Sequence, residues 1–140
     1  MSDIGLSPQD TAILQIARCF FQSFALPASH GWLQAHRTAT VELPDGAGPA
    51  IAAGVLDMVQ GLRVSRRSVF RFSNPFCAAC ARILTPHERL MMATYTAYRA
   101  GRPDEARGHA TLLFEGNGME EFLQQAERLA QLVWQPEPVA

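Results

Sequence analysis

Two of the three cysteines in this chain, Cys77 and Cys80, form a C-x-x-C motif within the stretch NPFCAACARILTPHE, residues 74–88. Thiols at this spacing can form a reversible disulfide, and thiolates can bind a soft metal ion such as zinc. The competing interpretation is that both are small core side chains, because unpaired cysteine is among the most frequently buried residue types. The motif therefore leaves three interpretations open: a redox pair, half of a metal site, or inert packing.

A zinc site at this motif would need further ligands, because structural zinc takes four Cys or His side chains. His109 could complete the site, since it belongs to a later helix that can fold back. His87 is less suitable, because the helix predicted between it and Cys77 would hold the two side chains at opposite ends. A symmetric dimer with Cys77 and Cys80 from each chain would also supply four ligands. Beyond zinc, the sequence indicates no cofactor.

The second set of candidate residues is the run RVSRRSVFRF at 63–72. Residues 61–82 hold five arginines and no acid, whereas residues 103–140 hold seven acids and two arginines. The arginines could pair with that acidic part, or bind nucleic acid through phosphate contacts and base stacking. A net charge of −1 disfavours nucleic acid as the partner. We predict a patch that binds another protein, formed by Arg63, Arg66, Arg67, Arg71 and Phe72.

Several enzymatic chemistries have no residues to support them. All 12 cationic side chains are arginine, a bias typical of a GC-rich genome. Without lysine, Schiff-base chemistry and the phosphate-binding lysine of P-loops are excluded. His87-Glu88 is not followed by the second histidine of an H-E-x-x-H metalloprotease, and no G-x-S-x-G elbow occurs. An enzymatic function thus has no motif to support it, and the sequence favours a protein that acts by binding.

Apolar residues recur at helical spacing along most of the chain, which predicts an all-α fold of five or six helices with at most a minor two-stranded element. Thr40–Leu43 is the candidate for a short extended piece, and the run 63–72 fits either a helix or an extended segment. Asn74-Pro75 predicts a helix start that runs to Leu84, and Thr85 with Glu88 predicts a capping box. The strongest helix patterns cover residues 8–24, 49–62, 74–84, 86–100, 103–115 and 119–134.

The turn YRAGRPDEAR, residues 98–107, resembles the turn between the two helices of a tetratricopeptide-type repeat. The resemblance covers about one repeat, whereas stable arrays need about three. It implies an antiparallel pair of helices, with Gly101 after the end of the first helix. The sequence therefore predicts antiparallel helix hairpins in the C-terminal half of the chain.

The first helix pattern is apolar on most of its circumference and leaves only a narrow polar strip, which includes Gln15 and Arg18. A helix of this kind must be covered on most sides. It is therefore either the central helix of the fold or the seam of a homodimer. We predict a homodimer that is sealed partly by this helix.

The length of 140 residues suits a single helical domain, residues 1–140, with 135–140 as a frayed tail. We expect no signal peptide, no membrane span and no disulfide framework, and hence a cytoplasmic protein. The sequence favours a small regulatory or adaptor protein that acts by binding another macromolecule. The alternatives are a thiol-redox or zinc protein centred on Cys77 and Cys80, and a nucleic-acid-binding regulator that uses the run 63–71.

Overall fold

The computed structural model describes residues 6–44, 46–66 and 68–133, and over these ranges it confirms the predicted all-α bundle. Arg67 of the predicted patch and the predicted tail at 135–140 lie outside the described residues. None of the helices in the described part has the length and apolar character needed to span a bilayer. The elements are α1 (Pro8–Ala25), a 3-10 turn (Pro27–Ser29), α2 (Gly31–Glu42), α3 (Gly48–Ser65), α4 (Ala78–Ala81), α5 (Pro86–Arg99), α6 (Pro103–Leu113) and α7 (Glu120–Val133).

Helix α1 lies at the centre of the bundle. The Ser7 side chain caps it by accepting a hydrogen bond from the Asp10 N–H at 3.1 Å, and Pro8 occupies the first turn. The apolar residues of α1 are buried under α2, α3 and α5. The face that suggested a dimer seam is thus covered within one chain. A homodimer remains a prediction, and it would have to use a different surface.

Helix α2 covers most of the piece that was expected to be extended. The expected extended piece at Thr40–Leu43 is wrong, because α2 continues to Glu42. Ala35 and Ala39 are buried one helical turn apart, which fixes this helix against the core. That packing outweighs the preference of the β-branched residues Thr40 and Val41 for extended backbone, and both lie exposed on the outer face.

The C-terminal helices pack on α3 and on one another. Helix α7 lies along α3, while α5 and α6 form the predicted antiparallel hairpin. The turn of this hairpin contains Gly101 at φ 74°, a left-handed conformation that glycine adopts without a steric penalty. The sequence pattern and the resemblance to a helix-pair turn thus gave the correct local structure here.

The predicted helix from Asn74 to Leu84 is wrong in extent. Only Ala78–Ala81 is helical, and the Asn74 side chain instead caps a preceding turn by accepting from the Phe76 N–H at 2.9 Å. The helix stops at Ala81 because the carbonyl groups of Ala81 and Ile83 accept hydrogen bonds from a buried side chain, Arg18. Further upstream, α3 ends at Ser65, and the described residues 66 and 68–74 form neither helix nor strand.

Candidate functional site

A buried ion pair joins α1 to α5. Arg18 and Glu88 are 1 % and 0 % exposed, and two parallel hydrogen bonds connect them: Nε to Oε2 at 2.7 Å and Nη2 to Oε1 at 3.0 Å. Arg18 also donates from Nη1 to the carbonyl oxygen of Ala81 at 2.7 Å and from Nη2 to that of Ile83 at 3.0 Å. Sequence analysis placed Arg18 on a polar strip, and the structure places it in the core.

Glu88 also binds the backbone on either side of the cysteine motif. Its carboxylate accepts from the Ser73 N–H at 3.1 Å and from the Thr85 N–H at 2.9 Å. The Thr85 hydroxyl accepts from the Glu88 N–H at 3.0 Å, which confirms the predicted capping box. A carboxylate with this many donors is held in one position, and its oxygens have few lone pairs left for a ligand.

Cys77 and Cys80 are joined in a disulfide, with their Cα atoms 5.2 Å apart. Both are partly exposed in the surface segment 74–83, which contains α4 and which we call the cysteine turn. Their exposure argues against the interpretation that they are inert core side chains. Cys19, in contrast, is fully buried in α1, and burial raises the pKa of its thiol to about 11. The motif thus contains the two cysteines that solvent can reach.

The ligands that were predicted for zinc are not assembled by the described residues. His109 lies on α6, where it lines a groove of about 340 Å³ together with Ala97 and Glu105. In the part of the chain that the structure describes, no group of three or more His, Cys, Asp or Glu side chains is placed to hold a metal ion. A zinc site formed by Cys77, Cys80 and His109 therefore remains a prediction from the sequence alone.

A groove of about 360 Å³ lies between the C-terminal ends of α1 and α3 and residues 66, 68–70 and 72. Aromatic rings form its floor: Phe21 stacks on Phe70 with ring centroids 4.4 Å apart, and on Phe72 at 5.4 Å. The guanidinium of Arg63 lies 3.8 Å from the centre of the Phe24 ring. We call this site the arginine-aromatic groove. Its lining includes Phe21, Phe24, Leu62, Arg63, Arg66, Val69, Phe70 and Phe72.

Three residues of the predicted partner patch, Arg63, Arg66 and Phe72, therefore meet in one groove. Arg71 is exposed on the adjoining backbone. Sequence analysis included Phe72 in the patch but did not include Phe21, Phe24 or Phe70. The spacing of Phe21 and Phe24 in α1 was a usable signal, because residues three apart share one face of a helix.

The arginines of the groove have polar partners of neutral charge. Arg63 donates to the Gln60 side chain at 2.7 Å, and Arg66 donates to the Leu113 carbonyl at 2.8 Å. Burial lowers the pKa of Arg66, and the charge of Glu115 partly opposes this shift. Within the described ranges neither guanidinium forms an ion pair with a carboxylate.

His87 stands beside the groove with two hydrogen-bond donors aimed at its ring. Its Nδ1 accepts from the Arg71 N–H at 2.8 Å, and its Nε2 lies 2.8 Å from Nη2 of Arg66. A neutral imidazole accepts at one nitrogen only, so Nε2 carries a hydrogen and faces a second donor. Burial and then the charges of Arg66 and Arg71 lower the pKa of His87, which keeps the ring neutral. Nη2 of Arg66 and Nε2 of His87 are thus two donors that face each other without an acceptor between them.

Comparison of the chain with known protein families, with curated proteins and with solved structures found no match. Among the sites formed by the described residues, the arginine-aromatic groove and the cysteine turn offer chemistry to a partner. They are close together in the sequence. The buried ion pair forms hydrogen bonds with the backbone of the cysteine turn and with Ser73, which follows the last residue of the groove.

Proposed function

We propose that this is a small cytoplasmic regulatory or adaptor protein that binds an acidic segment of another protein in the arginine-aromatic groove. The observation that carries the proposal is the combination of an aromatic floor with arginines whose described partners are neutral. Such a site offers apolar area and positive charge to the same ligand. The partner segment would place an apolar side chain on the floor and carboxylates at the rim.

The floor supplies the larger part of the expected affinity. Phe21, Phe70 and Phe72 stack as a group, so a partner side chain can pack against rings that are already held in place. Aromatic and arginine side chains are the residues that most often dominate the energy of protein interfaces. Because the rings are already ordered, binding loses less side-chain entropy than it would at a flexible surface.

The polar side chains at the rim of the groove, Arg66 and His87, determine which charge the partner should carry. A carboxylate placed near Arg66 and His87 can accept from Nη2 and from Nε2–H, which resolves the contact between two donors. Charge-assisted hydrogen bonds of this kind are about twice as strong as neutral ones. The rim therefore favours a ligand with glutamate, aspartate or a terminal carboxylate at this point.

The remainder of the surface favours a protein partner over a nucleic acid. A second groove, of about 490 Å³, is lined by Asp104, Glu120, Glu121 and Glu127. Arg107 is its only lining cation, and this arginine is paired with Glu120. A long polyanion that reached this surface would be repelled, whereas a short acidic segment carries its charge only where the arginines are.

A synthetic peptide can test the proposal. The probe is a fluorescein-labelled, end-blocked peptide of alternating glutamate and leucine, and the measurement is fluorescence anisotropy. We expect saturable binding to the native protein, and binding that is about 10- to 150-fold weaker by Arg66→Ala, since the loss of one charge-assisted contact costs about 1.5–3 kcal/mol. Arg37→Ala is the matched control, because Arg37 is an exposed arginine on α2 and should leave the affinity unchanged.

Two further probes separate the competing functions. A peptide with glutamine in place of glutamate should bind more weakly, and its affinity should depend less on salt. Equal binding by the native protein and Arg66→Ala, or no saturable binding of the acidic peptide, would contradict the proposal. Tighter binding of a single-stranded oligonucleotide than of the peptide would favour the nucleic-acid alternative.

A further inference from the structure

We infer that the Cys77–Cys80 pair is a thiol–disulfide exchange site whose redox partner is a dithiol, and that its redox state controls how firmly the adjoining wall of the arginine-aromatic groove is held. The two sulfur atoms form a disulfide in a surface loop, and both residues are partly exposed. The inference that exchange occurs does not depend on the proposed function, because it can be measured without a binding partner.

The position of the disulfide argues against a purely structural role. The bond closes a loop with only two residues between the cysteines, and the loss of chain entropy that makes a disulfide stabilising is smallest for short loops. Neither Cys77 nor Cys80 belongs to the buried apolar core. A bond that adds little to stability and that solvent can reach is suited to reversible chemistry.

The exchange step balances with a dithiol as the reductant. A thiolate of the dithiol attacks one sulfur of the Cys77–Cys80 disulfide and forms a mixed disulfide with it. The bond between Cys77 and Cys80 breaks, and the other sulfur leaves as a thiolate that takes up a proton. The second thiol of the dithiol then attacks the mixed disulfide and releases the second cysteine of the protein. Two electrons and two protons have moved to Cys77 and Cys80, and the dithiol has become a disulfide.

The cysteine turn is connected directly to the buried ion pair. Arg18 donates to the carbonyls of Ala81 and Ile83, which lie one and three residues beyond Cys80. The Ser73 hydroxyl also donates to the Ile83 carbonyl, and the Ser73 N–H donates to Glu88. Ser73 directly follows Phe72, which lines the groove. Loosening of the turn by reduction would therefore reach the wall of the groove through one shared set of hydrogen bonds.

Cys19 provides an internal reference for the chemistry. Its side chain is fully buried, and burial raises its pKa to about 11, so few of its thiols are ionised at neutral pH. In the folded protein it should react slowly with an alkylating reagent whatever the state of the other two cysteines. A count of reactive thiols thus distinguishes local opening of the disulfide from unfolding of the whole molecule.

Thiol counting in the full-length protein tests the exchange. The protein is incubated with dithiothreitol under native conditions, alkylated with iodoacetamide and analysed by peptide mass spectrometry. We expect alkylation of Cys77 and Cys80 with little at Cys19. In a second reduced sample, which is not alkylated first, the disulfide should return after the reductant is replaced by oxidised glutathione. If reduction requires denaturant, or if Cys19 becomes reactive together with the pair, the disulfide is structural and the inference is overturned.

Hydrogen exchange tests the connection to the groove. The amides of Ser73 and Thr85, which donate to Glu88, should exchange at least about tenfold faster in the reduced protein, whereas amides within α1 should not change. The double variant Cys77→Ser/Cys80→Ser should behave like the reduced protein and should not respond to dithiothreitol. Unchanged exchange at Ser73 and Thr85 on reduction would overturn the connection. Loss of peptide binding in both redox states would contradict only the proposed function.

Discussion

The ion pair between Arg18 and Glu88 shows how strongly a single residue can depend on a distant partner. Removing two charges from water is costly, and here the cost is offset because both side chains are nearly fully hydrogen-bonded. Removing one member of such a pair lowers stability more than replacing both members, since a buried charge is then left without its partner. Stability therefore depends on keeping both members or on losing both.

We expect Arg18→Met to lower the free energy of unfolding by about 3–5 kcal/mol, because Glu88 stays buried as an unpaired charge. Chemical denaturation monitored by circular dichroism measures the change. The double variant Arg18→Met/Glu88→Gln should lose less than the sum of the two single variants, since no unpaired charge remains in the core. Additive losses would show that the two side chains act independently.

The histidine beside the groove predicts a pH dependence of stability. The pKa of His87 is lowered from 6.5 in the folded protein, so the unfolded chain binds the proton more readily. The free energy of unfolding should therefore decrease as the pH falls below about 6.5, until the folded protein is protonated as well. Denaturation midpoints between about pH 7.5 and pH 5 measure this slope. His87→Gln should reduce the slope, and an unchanged slope would assign it to other groups.

Close packing of helices sets a limit on side-chain size at one glycine of α2. A Cβ atom at Gly31 would lie 2.3 Å from the Cys19 carbonyl oxygen and 2.9 Å from the Ser23 nitrogen, which are backbone atoms of α1. We expect Gly31→Ala to lower the free energy of unfolding by about 1–3 kcal/mol, because α2 has to move away from α1.

Gly108 is the matched control for that substitution. It lies in the middle of α6, and a Cβ there would meet no atom within 4 Å. Alanine at this position should raise the free energy of unfolding by about 0.5–1 kcal/mol, because glycine is the weaker helix former. Thermal denaturation of both variants measures the two effects. Stabilisation by Gly31→Ala would contradict the close contact between α1 and α2.

Helices could be predicted from sequence where periodicity and capping act locally. The capping box of Thr85 and Glu88 and the turn at Gly101 are examples, because the residues that determine them lie within one or two turns. The cysteine turn could not be predicted, since Arg18 ends its helix from 63 residues away. The same limit applies to the groove, whose arginines were identified but whose aromatic floor depends on how α1 meets the segment after α3.

The molecule as a whole combines a well-packed bundle with a segment that is held mainly by polar contacts. Helices α1, α3 and α7 contribute most of the buried apolar residues. Between Arg66 and Thr85, in contrast, Ser73 and Leu84 are the only described residues that are buried. This segment contains the cysteine turn and one wall of the groove, so the two candidate sites share the part of the fold with the least apolar packing.

This division predicts two levels of stability that native-state hydrogen exchange can separate. In the oxidised protein, the amides of Ser73 and Thr85 should exchange through a local opening, with a free energy well below that of global unfolding. Amides in the middle of α1 and α3 should exchange only through global unfolding, because their apolar contacts must all be lost together. Measured at increasing denaturant, the two groups should show a shallow and a steep dependence, since local opening exposes little surface. If both groups followed the same steep dependence, the segment would unfold with the bundle, and a partner or a redox change could not alter it independently.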